Sequence, residues 1–286
     1  MNYLCLILVV GTVATTVCAA AHADEGAPQP SSASQPFFAM DTGTRDAAHQ
    51  TPEQQVAMLA ELGYAGIGWT AFNELPDLLA ALDRHHLALF TIYLGVKIEP
   101  DGPEYSKELA DNLPLLKGRG TTLWLTITST TYGVSSPEGD ECAVQAVREI
   151  AEAAAPYGVR VALYPHVHSW LERVSDAVRV ARKVERDNVG ATFNLYHWLV
   201  TDGADSLDTV LPEAMPFLRL VTINGSARQG TIEPLDSGEF DLSGFLAALK
   251  RSGYSGPVGL QGYGIDGDVH SNLTRSMAAW KGLTRR

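Results

Sequence analysis

Cysteine is almost absent. The 286 residues hold three, and two of them, Cys5 and Cys18, fall in the first 23. Cys142 then stands alone, which excludes an internal disulfide framework in the rest of the chain. It lies in a helical pattern and is expected to be a small buried apolar group rather than a nucleophile. Basic residues are scarce as well: 21 Lys and Arg face 33 Asp and Glu, a formal net charge of −12. Phosphate binding needs a basic face, so nucleic acid is excluded as the main partner. No Gly-x-Ser-x-Gly elbow, Cys-x-x-Cys, His-Glu-x-x-His or Walker loop occurs. Serine-hydrolase, dithiol, zinc-protease and P-loop chemistries therefore lack their usual signatures. Hydrophobic residues make up 45% and charged ones 19%, a composition that buries a core rather than staying disordered.

Side-chain charge of either sign is also missing from residues 1–23, apart from His22. Residues 4–17 form an apolar core of secretory length, and Ala21-His22-Ala23 is a small-x-small cleavage pattern before Asp24. Residues 1–23 are thus expected to be a signal peptide. The protein is expected to be exported, to the periplasm or outside the cell, with no membrane partner once the signal is cleaved. A retained anchor is the alternative, although Gly11 and the Thr/Ala run break the stretch. Residues 24–36 are Pro- and Ser-rich and aperiodic, and read as a flexible linker.

The rest, residues 37–286, alternates. Short apolar runs recur at 37–41, 65–69, 87–95, 121–128, 159–164, 189–195, 218–224 and 257–263. Helical patterns lie between them. Thr51-Pro52-Glu53 opens the first with an N-cap, a proline at the first helical position and an acidic first turn; Gly63 ends it. Further helices are expected over 75–82, 109–116 (interrupted at Pro114), 141–155, 174–184, 207–211 and 245–249. Strands alternating with helices imply right-handed crossovers and a parallel sheet. Eight such units in about 250 residues match a single closed (β/α)8 barrel, an α/β fold. An open doubly wound sheet would bring a Gly-rich phosphate turn after its first strand, and Met40-Asp41-Thr42-Gly43-Thr44 is not one.

In such a barrel the chemistry sits at the C-terminal ends of the strands. The polar and aromatic residues there are Asp41, Trp69, Tyr93, Lys97, Thr128, Ser129, Tyr164, His166, His168, Asn194, His197, Thr222, Asn224, Gln261 and Tyr263. Continued extended geometry would put Tyr164, His166 and His168 on one face, Thr222 with Asn224, and Gln261 with Tyr263. His166 and His197 are the candidate catalytic groups, because imidazole titrates near neutrality. Asp41, Trp69, Tyr164, Asn194, Asn224 and Gln261 are the candidate substrate contacts. Amides bond hydroxyls, and rings pack on the apolar face of a sugar. Each has a plain structural alternative: His166 as a turn residue after Pro165, His168 facing solvent, His197 ordering a loop, Asp41 as a loop acceptor, Lys97 and Glu99 as a solvated pair, Trp69 and Trp198 as core. The partner is therefore expected to be a small-molecule sugar. The mouth carries few basic residues, Lys97 and Arg228, so no phosphate subsite is evident, and nothing specifies an oligomer.

The segments LGYAGIGW (62–69), VALYPH (161–166), FNLYHWLVTDGAD (193–205), LRLVTINGS (218–226) and GYSGPVGLQGYG (253–264) resemble the xylose isomerase-like TIM barrel family, the sugar phosphate isomerase/epimerase group. The resemblance covers roughly 37–280. It implies one divalent metal held by a Glu after the fifth strand, an Asp on the sixth, a His on the seventh and a Glu on the eighth, with two glutamates as an acid/base pair. Tyr164, Asn194, a position at or near Thr222, and Gln261 stand at those places. Only the accompanying histidines have matches, at His166 and His197. These four replacements are neutral at pH 7, whereas a divalent ion wants anionic or imidazole donors. No cofactor is expected; a divalent ion, if bound, would fall to His166, His168 and His197. Three readings stay open: an isomerase- or epimerase-like enzyme on a sugar or keto-sugar (with a lyase or hydrolase as variants), a catalytically inactive sugar-binding barrel, and a re-ligated metal enzyme.

Overall fold

The computed structural model describes residues 35–285. The expected signal peptide, and the linker up to residue 34, lie outside the described residues.

Eight parallel strands close into a barrel: β1 (Phe37–Met40), β2 (Gly66–Thr70), β3 (Ala88–Glu99), β5 (Thr122–Thr128), β6 (Arg160–Leu163), β7 (Val189–Asn194), β8 (Leu218–Ile223) and β9 (Val258–Leu260). A ninth strand, β4 (Gly102–Tyr105), folds back antiparallel on the end of β3. Closure comes from the first and last barrel strands, with Phe37 opposite Val258 and Ala39 opposite Leu260. The eight apolar runs are thus the eight barrel strands, and the (β/α)8 expectation holds.

Seven of the nine helices in the described residues form where the local signals place them. In α1 (Pro52–Leu62), Thr51 and Gln54 make a reciprocal capping box, and Gly63 closes the helix at φ 83°. Next come α2 (Leu75–His85), the short α3 (Leu109–Asn112), α4 (Asp140–Ala154) and α5 (Val174–Val184). Pro114 turns the end of the expected 109–116 helix into a 3-10 turn, because it lacks the N–H that an α-helix would bond. Three more follow: α7 (Leu207–Ala214), α8 (Leu242–Arg251) and α9 (Val269–Thr284). The last has no counterpart among the expected helices. Neither does α6 (Leu195–Thr201), which begins directly where β7 stops. Among the described residues no helix is long and apolar enough to cross a membrane.

Two apolar clusters result. The larger packs the outer faces of the strands against the helices. The smaller fills the barrel itself with Phe38, Met40, Trp124, Ala162, Tyr164 and Leu220, flanked by Phe90 and Tyr93. Its rings are layered: Phe38 stacks on Phe90 at 4.7 Å and Trp124 on Tyr164 at 4.0 Å between centroids. Gly259 makes room for this, since a Cβ there would stand 2.5 Å from the Phe38 ring. The aromatic plug seals the barrel from below and leaves Tyr164 as the floor of whatever lies above it.

Candidate functional site

Above the plug, at the C-terminal mouth, lies a cavity of about 420 Å³. Met40, Thr42, Thr70, Tyr93, Tyr164, His166, Val167, Tyr196, His197, Ile232, Gln261 and Tyr263 line it, and none of them carries a formal charge at neutral pH. That size suits a small ligand. A larger groove of about 710 Å³ runs along α4 past Lys183, but it is lined by charged surface residues and holds neither histidine nor aromatic ring.

The two histidines differ in what they have left to offer. His197 is buried, with its Nδ1 3.3 Å from the Val167 backbone N and its Nε2 3.0 Å from the Tyr164 hydroxyl. Burial, reinforced by the neighbouring His166, depresses its pKa to about 2, so it stays neutral. His166 Nδ1 lies 2.9 Å from the carbonyl of Val167, which can only accept, so Nδ1 carries the proton. Its Nε2 makes no hydrogen bond among the described residues. Burial lowers the His166 pKa below the ordinary value, against a weaker raising effect of that backbone bond.

Asn194 ends β7 and starts α6 at once. Its Oδ1 accepts from the His197 backbone N at 3.0 Å and caps the helix. The amide is thereby oriented. Its Nδ2 points back into the barrel and donates to the Tyr164 hydroxyl at 3.1 Å and to Thr222 Oγ1 at 2.7 Å. Asn194 therefore supports the floor instead of lining the cavity. Gln261 follows β9 and lines the cavity, 6% exposed, with a buried Oε1 that has no partner. A buried acceptor without a donor is costly, and a ligand hydroxyl would satisfy it.

Tyr164, His166, His197 and Gln261 thus meet in one cavity, joined by Tyr93 and Tyr263. Other expected residues stand off it. Trp69 is buried, with its indole N–H on the Asn73 carbonyl. Asn224 turns its amide to the carbonyls of Gly225 and Thr231 and holds that loop together. Asp41 sits beside the lining residue Thr70, accepting from its N at 3.0 Å and its Oγ1 at 2.9 Å. Burial raises the Asp41 pKa despite these bonds and the nearby Arg45. His168 does not share the face of Tyr164 and His166. The strand stops at Leu163, and His168 adopts φ 67° in the following turn, exposed to solvent. Alternation applies only while the backbone stays extended. Lys97 and Glu99 pair at 3.4 Å on the β3–β4 hairpin, where Glu99 also orders Thr130 and Thr131. Trp198 is core.

Tyr196, Thr42, Thr70 and Ile232 also line the cavity, though none was expected there. Tyr196 had a usable signal: an asparagine N-cap directly after an apolar run announces a helix starting at the strand end.

The divalent ion implied by the family resemblance does not fit these residues. At the four ligand places stand a tyrosine hydroxyl already receiving two hydrogen bonds, an amide that presents its NH₂, a threonine bonded to that NH₂, and a glutamine. An NH₂ group offers no lone pair to a cation. His168 stands apart from His166 and His197, and among the described residues no group of three His, Cys, Asp or Glu side chains is placed to hold a metal.

Residues 56–280 match the model of the xylose isomerase-like TIM barrel family. The chain belongs to that family. A curated relative, the ketose 3-epimerase of Arthrobacter globiformis, is 28% identical over 141 residues, 48% of this chain and 46% of that protein. The chain spans less than half the length of the curated relatives it matches. Among solved structures, the D-allulose 3-epimerase of Methylomonas sp. superposes with a TM-score of 0.71 at 16% identity, covering 87% of this chain and 98% of the other. The 3-keto-D-glucoside 4-epimerase of E. coli does so with a TM-score of 0.67 at 18% identity, covering 86% and 98%. These likenesses show the fold; the family match and the curated relative connect the barrel with the sugar isomerases and epimerases.

Proposed function

We propose that this barrel catalyses proton transfer next to the carbonyl of an unphosphorylated sugar or keto-sugar, as an isomerase- or epimerase-like enzyme in which His166 is the base. The observation that carries this reading is the single open imidazole nitrogen, His166 Nε2, in a cavity with no charged lining. His166 takes a proton from the carbon beside the carbonyl, and the C–H electron pair moves into an enediolate. Returning the proton to the neighbouring carbon, with a matching shift between the two oxygens, gives isomerisation; a proton delivered by water to the first carbon from the opposite face, while His166 keeps the one it took, gives epimerisation. Gln261 Oε1 accepts a sugar hydroxyl, and Tyr93, Tyr196 and Tyr263 offer rings to the sugar's apolar face. The absence of a cationic side chain from the lining argues for a neutral ligand, which also suits the export expected from residues 1–23. We place no metal in the reaction.

The test is exchange in D₂O. The chelator-treated protein is incubated with neutral ketoses, aldoses and 3-keto-sugars, and proton NMR follows the hydrogen beside the carbonyl. Exchange or conversion is expected with at least one sugar, and His166→Ala should abolish it while the melting temperature stays nearly unchanged. Sugar binding without exchange across the panel would overturn the enzyme and leave a carbohydrate-binding barrel. That second reading draws on His197, whose two ring nitrogens are both engaged within the protein. Turnover restored only by a divalent ion would overturn the metal-free assignment.

A further inference from the structure

The hydrogen bonds around Tyr164 have a fixed direction. It originates in two backbone N–H groups, which can only donate. Val167 N–H points at His197 Nδ1 at 3.3 Å, so that nitrogen is the acceptor. A neutral imidazole has one N–H, and it must then sit on Nε2. Nε2 therefore donates to the Tyr164 hydroxyl oxygen at 3.0 Å. Independently, His197 N–H points at Asn194 Oδ1 at 3.0 Å, which leaves Nδ2 as the donor that reaches the same hydroxyl oxygen at 3.1 Å. A hydroxyl has two lone pairs and one hydrogen. Both lone pairs are taken. Among the described residues no acceptor receives the remaining hydrogen, and Tyr164 lines the cavity.

We infer that the Tyr164 O–H is aimed into the cavity as a preset donor that polarises the substrate carbonyl, the task a divalent metal would otherwise perform as a Lewis acid. This rests on the proton-transfer reading above. Two incoming hydrogen bonds strengthen the outgoing one, because chains of hydrogen bonds polarise one another. The donor is also oriented before the ligand arrives, which is what oxyanion stabilisation requires. Stacking on Trp124 at 4.0 Å fixes the ring. Burial pushes the hydroxyl far above the ordinary tyrosine range, so it keeps its proton at any physiological pH. Tyr164 occupies the place where the family resemblance puts a metal-binding Glu. The exchange of a carboxylate for a hydroxyl thus replaces a ligand for an electrophile with the electrophile itself.

Two measurements on the full, chelator-treated chain test this. Nitrogen-15 NMR of the histidines reads the direction of the chain directly: His197 should be the Nε2–H tautomer, unchanged from neutral pH to pH 5. The Nδ1–H tautomer, or a titrating His197, would overturn the inference. The second uses [2-13C]dihydroxyacetone, a neutral ketose too short to hide its carbonyl in a ring. Its bound carbonyl carbon should move downfield by several ppm in the wild type and in His166→Ala, and by less than half as much in Tyr164→Phe. Equal shifts in wild type and Tyr164→Phe, or no binding by the wild type at tens of millimolar, would overturn it. A polarised carbonyl without exchange would sink the enzyme reading and leave Tyr164 as assigned; exchange with an unmoved carbonyl would do the reverse.

Discussion

The imidazole rings of His166 and His197 lie 4.1 Å apart between centroids, and the same residue, Val167, ties both down. Its carbonyl takes the proton of His166 Nδ1, and its N–H fills the lone pair of His197 Nδ1. The backbone of one residue thereby sets both tautomers. His166 is left with a basic nitrogen to offer, and His197 with a donor already committed to Tyr164.

Removing His197 should therefore damage the protein, whereas removing His166 should not. His197→Ala leaves Val167 N–H without its partner and takes one of two donors from the Tyr164 hydroxyl, which keeps Asn194; together these losses cost about 1–3 kcal/mol. Urea unfolding should register a loss of that order, with His166→Ala close to wild type.

Acid sensitivity should trace to His197 as well. Its folded pKa of about 2 lies below the unfolded value near 6.5, so between these limits the unfolded chain binds the extra proton. Its contribution to stability is complete above pH 6.5 and is lost progressively as the pH falls towards 2. Melting temperatures of His197→Gln should fall less steeply than wild type between pH 6.5 and 4; parallel curves would contradict this.

Activity should lose its acid limb at a lower pH than free histidine would give. Burial holds His166 below its ordinary value, and the base works only when neutral. The pH profile of exchange should be flat from neutrality upward and fall only below about pH 6.5. A midpoint above that value would count against His166 as the base.

The first and last loops of the mouth touch through bare backbone. A Cβ on Gly43 would lie 2.8 Å from Gly262 Cα, and backbone cannot swing aside as a side-chain tip can. Gly43→Ala should cost roughly 1–3 kcal/mol through overpacking. Because Gln261 and Tyr263 flank Gly262, it should weaken sugar binding more than its stability loss predicts; calorimetric titration would show this.

A control lies on the outer helical layer. Arg179 bridges Asp140 at 3.0 Å and Asp176 at 2.5 Å, and both carboxylates are buried. Lys183 still pairs with Asp140, and Ser135 and two backbone N–H groups still bond Asp176, so Arg179→Met should destabilise by only about 1.5–3 kcal/mol. Where the variant is folded, dihydroxyacetone should bind as it does to the wild type.

Much of this was legible in the chain. The alternation of apolar runs with capped helical patterns is set by local backbone preferences, and eight such units in about 250 residues have few ways to close other than a barrel. That Tyr164, Asn194 and Gln261 stand where the family resemblance puts Glu, Asp and Glu was legible too, because strand ends, where a barrel keeps its chemistry, can be located in the sequence. The tertiary structure decided the rest. Trp69, Asn224 and His168 were expected at the mouth and point elsewhere, since side-chain direction past a strand end follows the loop and not the period of two. It also separated His166 from His197. Residue type is silent on which ring nitrogen is free, because that depends on a backbone carbonyl brought against His166 and a backbone N–H brought against His197 by the turn after β6. The outward hydrogen of Tyr164 has the same origin: groups 30 and 33 residues away in sequence use up its lone pairs, and only the folded barrel puts them there.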